Sequence, residues 1–118
     1  MSHYKSNVRD IEFNLFEVFG TDQTLQHEPF NEVDEDTARG IIAEVAKLAE
    51  GPLAASFVDA DRNPPVFDPD NYTVTVPESF KKSYEVLQNS EWWRLETIPE
   101  LGGQQVPRTV VWLSLIHI

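Results

Sequence analysis

Apolar residues recur at helical spacing in three separate runs, and those runs set the expected architecture. In the first, over 8–20, Ile11, Leu15, Val18 and Phe19 fall at i, i+4, i+7 and i+8 on one stripe, which Phe13 and Phe16 widen. Gly20 then suits the left-handed position just past a helix end. A helix this apolar on one side needs a partner surface, on its own domain or on another chain. The second run opens at Asp34-Glu35-Asp36, acids that suit the free N–H groups and positive end of a helix. Ala38, Ile41, Ile42, Val45, Leu48 and Ala49 keep period; Gly51-Pro52 interrupts, and the stripe resumes in phase at Leu53, Phe57 and Ala60. Continuing phase across a proline predicts one long kinked helix, stopped by Asn63-Pro64-Pro65. The third run, Phe80, Tyr84 and Leu87 behind Pro77-Glu78-Ser79, predicts a helix over 77–89 with Lys81 and Lys82 outward.

Between these runs the pattern is plainer. Residues 21–36 are polar and acidic: from Arg9 to Arg39 there is no Lys or Arg between, while nine carboxylates accumulate, which reads as a solvated connector. Tyr72-Thr73-Val74-Thr75-Val76 alternates like a strand, but a lone strand makes no sheet, so it is expected to be an extended link. Pro99-Glu100-Leu101-Gly102-Gly103 is a loop whose glycines permit unusual backbone angles. Val106-Pro107-Arg108-Thr109 opens a last segment that is apolar from Val110. There are no internal repeats. The fold class is therefore all-α with one short extended segment near 72–76.

Composition narrows the function by exclusion. The 118 residues hold 20 acidic and 9 basic side chains, a formal charge of −11. Nucleic-acid affinity rests on counterions released by clustered Lys and Arg, so phosphate backbones are poor partners, as is an anionic membrane surface. No apolar run approaches the roughly 20 residues of a transmembrane helix, and the first residues carry no secretory signal. Cysteine is absent, which removes disulfides, thiolate metal sites and cysteine nucleophiles. A soluble cytoplasmic protein of one modest domain is the expectation.

Candidate chemistry is sparse. His3, His27 and His117 stand far apart without other ligands at metal spacing, and no phosphate-binding glycine loop or nucleophile elbow is present. Asp59, Asp61, Asn63, Val66 and Asp70 match positions 1, 3, 5, 8 and 12 of a calcium-binding EF-hand loop, yet position 6 needs glycine and is Pro64. Those acids read instead as the end of a helix. Adjacent Trp92 and Trp93 cannot share one stripe; one ring is expected in the core and the other over a domain interface. No carboxylate pair can be assigned to acid–base work from spacing. No catalytic, cofactor-binding or metal-ligating residue is assigned.

Taken in order, these pieces resemble the start of an acyl-CoA dehydrogenase. The resemblance runs from Met1 to about Trp112. A long helix containing a proline (Ile41 through Arg62), a loop (Asn63–Val76), a second helix (Pro77–Asn89) and the turn Ile98-Pro99-Glu100-Leu101-Gly102-Gly103 follow the family pattern. The opening Met1–Asp10 with Phe13-Asn14-Leu15-Phe16-Glu17 is similar to the N-terminal extension of a long bacterial branch. Asp61–Asp68 and Pro77–Ser83 are familiar strings of the same branch. Residues 1–36 are then the extension, and 37–118 a truncated N-terminal helical domain.

The resemblance implies a flavoprotein, using FAD to oxidise a fatty acyl-CoA to its trans-2-enoyl-CoA in β-oxidation. It also implies a catalytic glutamate, electron transfer to an electron-transfer flavoprotein, and a homo-oligomer. In the family the glutamate and the FAD- and CoA-binding segments lie downstream, so the 118 residues alone are expected to be inactive and to bind no flavin. Leu113-Ser114-Leu115-Ile116-His117-Ile118 leaves the family's course and reads as a non-native tail. Helix 1 and a terminal stripe of Val110, Val111, Trp112, Leu115 and Ile116 are expected to present two uncovered apolar surfaces, leaving the chain marginally folded or associated. The competing reading is an acidic helical protein-interaction module that docks through helix 1 and Trp92-Trp93.

Overall fold

The computed structural model describes residues 4–116, with side-chain surroundings described through Trp112. His3 and His117 lie outside the described residues. Helix α1 (Val8–Glu12) starts at Asn7, whose side-chain oxygen accepts from the Asp10 N–H at 3.3 Å. It widens into a π-helical turn, Phe13–Val18, closed by the Phe19 N–H donating to the Asn14 carbonyl at 3.0 Å. Gly20 follows at φ 58°, the left-handed stop that the sequence predicts. The wider turn advances each residue through a smaller angle than an α-helix does. The buried pair is therefore Leu15 and Phe16, while Val18 and Phe19, expected on the inner stripe, face out at 54% and 73% exposure.

The acidic stretch after Gly20 is not the solvated connector that its charge suggests. It forms a short helix α2 (Thr21–Leu25) and then a series of turns, and it buries Thr21, Leu25 and Val33, with Phe30 packed against them. Burial is decided by these few apolar positions, whereas the carboxylates between them stay in water.

The predicted kinked helix is present. Helix α3 (Glu35–Leu48) is capped by Asp34, whose Oδ1 accepts from the Thr37 N–H at 2.8 Å. A π-helical turn over Ala49–Leu53 takes in Pro52, and α4 (Ala54–Arg62) continues. Proline lacks an N–H and crowds the carbonyl four residues back; the widened turn makes room for the ring without ending the helix. Ala38, Ile42, Val45 and Ala46 of α3 and Ala49 at the start of the turn are buried, whereas α4 buries no residue fully.

Strand β1 (Val66–Asp68) and strand β2 (Thr73–Thr75) pair antiparallel, Val66 opposite Thr75 and Asp68 opposite Thr73. The extended link is thus one half of a small hairpin. Its partner was hidden in three residues too short to show alternation. Helix α5 (Glu78–Asn89) packs on α4 and on the Pro52 turn. A 3₁₀ turn at Trp92–Leu95, another at Pro99–Leu101 and helix α6 (Arg108–Ile116) complete the order.

One hydrophobic cluster joins the N-terminal segment, the first half of α3 and residues 95–111: Leu15, Phe16, Leu25, Ile42, Leu95 and Val110 are among its members. Helix 1 is partly covered: Leu15 and Phe16 lie inside the chain's own core, while Phe13, Val18 and Phe19 stay exposed. The start of the last segment, expected to be uncovered, is covered: Val110 and Val111 are buried where α6 packs on α3, and only Trp112 of that stripe faces out, at 60% exposure, among the described residues.

Candidate functional site

A larger open apolar surface lies between α4 and α5. After the Pro52 turn, α4 contributes no residue to the core cluster and packs on α5 instead. Two ties hold this arrangement. The Ser83 hydroxyl donates to the Pro52 carbonyl at 3.1 Å, and the Ser79 hydroxyl donates to the Asp59 carboxylate. Between the ties and solvent runs a cleft with two adjoining lobes. The lobe toward the hairpin holds about 540 Å³ between Phe57, Ala60, Phe80 and Tyr84; the other, about 370 Å³, ends on Trp92 and Trp93. Leu53, Tyr84 and Leu87 line both.

The tryptophan pair divides as the sequence predicts in one respect: Trp92 packs against the core and Trp93 is half exposed. Arg94 stacks over the Trp93 ring at 5.4 Å and is paired with Glu91 at 3.0 Å. Glu91 sits at φ 53°, so the chain reverses sharply between α5 and the indoles. The Trp92 Nε1 is buried at the end of the cleft and has no hydrogen-bond partner among the described residues.

The sequence-derived candidates separate rather than converge. Asp59 is engaged by Ser79 and by the Asn63 side chain at 2.8 Å, and these donors hold its carboxyl below the usual carboxylate range. Asp70 lies in the hairpin loop, where its N–H donates to the Asp68 carboxylate at 2.9 Å. Asp68 accepts from the Asn71 side chain and from the backbone of Asp70 and Asn71, so its pKa is also lowered. The EF-hand resemblance is therefore a helix end followed by an Asx-capped turn. His27 is exposed on the segment after α2.

The residue that sequence reading missed is Arg39. Its guanidinium bonds Glu35 at 2.6 Å and Glu12 at 3.1 Å and lies over the Phe16 ring at 4.1 Å. It thereby pins the N-terminal helix to α3. Its signal was available: it is the first cation after Arg9 in a run of nine acids.

No protein-family model matches the chain. Over all 118 residues it is 55% identical to the N-terminal part of a curated acyl-CoA dehydrogenase, of whose length it spans 19%. The match is consistent with a fragment from the N-terminal end of a long acyl-CoA dehydrogenase, and the chain is mainly helical. That relative is the broad-specificity linear acyl-CoA dehydrogenase FadE5 of Mycobacterium tuberculosis (strain ATCC 25618 / H37Rv). A local similarity, 41% over 58 residues, links half of the chain to 2% of human Protocadherin-23.

The cleft does not fit a flavin dinucleotide or a CoA head group. Both carry phosphates, and the polar groups at the rims of the two lobes include the carboxylates of Asp61 and Glu96 but no Lys or Arg. Among the described residues no helix is long and apolar enough to cross a membrane, and no three acids or histidines converge on a metal position.

Proposed function

We propose that this chain is the N-terminal helical part of a longer acyl-CoA dehydrogenase, with residues 1–36 as an extension and 37–118 belonging to the helical domain. The parent is an FAD-dependent, cytoplasmic homo-oligomer of fatty acid oxidation. It converts a fatty acyl-CoA to the trans-2-enoyl-CoA and passes electrons to an electron-transfer flavoprotein. The observation that carries this reading is 55% identity over the whole length of the chain. Flavin and acyl-CoA are held by other parts of the parent, since the acidic rims of this chain's cleft repel phosphate. The 118 residues alone are inactive.

A chimaera tests this directly. The first 118 residues of the mycobacterial relative are replaced by this chain, and acyl-CoA-dependent reduction of a dye acceptor is followed. Retained flavin and activity within an order of magnitude support the reading. A folded chimaera without activity, or a flavin-binding isolated chain, sinks it.

A further inference from the structure

We infer that the lobe of the cleft ending on the tryptophans binds an amphipathic organic cation, an alkyl chain that carries an ammonium head. This goes beyond the proposed enzymatic parentage and does not depend on it. The lobe's volume, about 370 Å³, falls in the range of small-ligand sites, about 300–1,000 Å³. Its lining changes character from floor to mouth. Val45 and Val111 are buried and Leu48 and Leu87 half-buried, so the deep part suits an alkyl chain. Tyr84, Trp93 and Glu96 line it too and are exposed, which puts two rings and a carboxylate at the opening.

The sign of the head group follows from charge. Among the described residues Glu96 takes part in no ion pair, and no Lys or Arg lines the lobe. An ammonium at this mouth is attracted by the carboxylate and by the negative faces of the rings. A fatty-acid anion is repelled by the same carboxylate, and a neutral alcohol gains from neither. Trp93 already accepts a cation elsewhere on its surface: the Arg94 guanidinium lies 5.4 Å from its ring centre. Glu91 holds that guanidinium at 3.0 Å, and Arg94 does not line the lobe, so the mouth stays acidic. The net charge of −11 adds a general attraction for cations, which a test has to separate from the site.

Titration calorimetry of the 118-residue chain with octyltrimethylammonium, octanol and octanoate makes that separation, each ligand kept below the concentration at which it aggregates. Circular dichroism is the control for folding. A single octyltrimethylammonium is expected to bind, about tenfold tighter than octanol, with octanoate weaker than octanol. Glu96→Gln is expected to weaken the cation about threefold and to leave octanol unchanged. Trp93→Leu keeps an apolar side chain without the ring face and is expected to cost the cation about threefold. Glu32→Gln removes the same charge from an exposed acid outside the lobe and is expected to leave all three affinities as they are. Failure of the cation to bind, or octanol or octanoate binding as tightly, overturns the proposal. A loss in Glu32→Gln equal to that in Glu96→Gln overturns it as well, because the cation is then drawn by net charge and not by this mouth.

Discussion

At the scale of single residues, the two glycines of the loop before α6 do different work. Gly102 has φ 83° and supplies a left-handed turn. Gly103 is fixed by proximity: a Cβ there would lie 1.7 Å from the Thr97 carbonyl oxygen. The same backbone stretch carries the Gln104 N–H to the Arg94 carbonyl at 2.8 Å and the Val106 N–H to the Leu95 carbonyl at 2.9 Å, so it cannot move aside without losing those bonds. Gly103→Ala is expected to cost about 3 kcal/mol or more. Gly40→Ala, in the interior of α3 with nothing near the added methyl, is expected to gain about 0.5–1 kcal/mol. Urea midpoints of the two variants should move in opposite directions from wild type. The sequence marks both loop glycines as special. It does not say which one needs the angle and which the space, because the approach of Thr97 is a property of the folded loop.

At the scale of elements, helical period was legible and helical width was not. The stripes of α3 and α5 read directly from residues three and four apart. The π-helical turn at Phe13–Val18 shifts the phase, which is why Val18 and Phe19 end outside a predicted inner face, whereas Leu53, Phe57 and Ala60 keep to one face and line the cleft. The hairpin was legible only in its second strand, and the candidate cleft not at all, since it depends on the direction α4 takes after the bend. Two side chains decide how the elements are joined. Ser83 is buried and donates to the carbonyl at the bend, so Ser83→Ala is expected to cost about 1 kcal/mol and to loosen α5 from α4. Arg39→Met removes a partly buried ion-pair hub and its stacking on Phe16. It is expected to cost about 1–2 kcal/mol, and amide exchange over 8–18 should accelerate more than elsewhere.

At the scale of the whole molecule, the chain is a slab rather than a sphere. Its radius of gyration is 17.1 Å, where a compact chain of this length has about 13.5 Å. Its smallest extent is 18 Å, against 54 Å along its length. Acid sensitivity also belongs to this scale. Asp34 is lowered by hydrogen bonds from Thr37, Asp59 by Ser79, Asp68 by Asn71 and Glu78 by Lys81. Each folded-state pKa lies below the unfolded value, so the stability these groups contribute is present above about pH 4 and is lost as pH falls through their depressed values. Thermal midpoints should hold between pH 7 and pH 5 and drop below about pH 4. A midpoint that rises steadily down to pH 3 would mean that relief of the −11 charge outweighs all four bonds.

The bend at Pro52 divides this slab into unequal cooperative units. Amides of α3 sit over buried Ile42, Val45 and Ala46 and should exchange with deuterium only when the whole molecule unfolds. Those of α4 and the exposed hairpin have no such cover and should exchange through partial openings of lower free energy. A single proline thus sets the order in which the molecule comes apart.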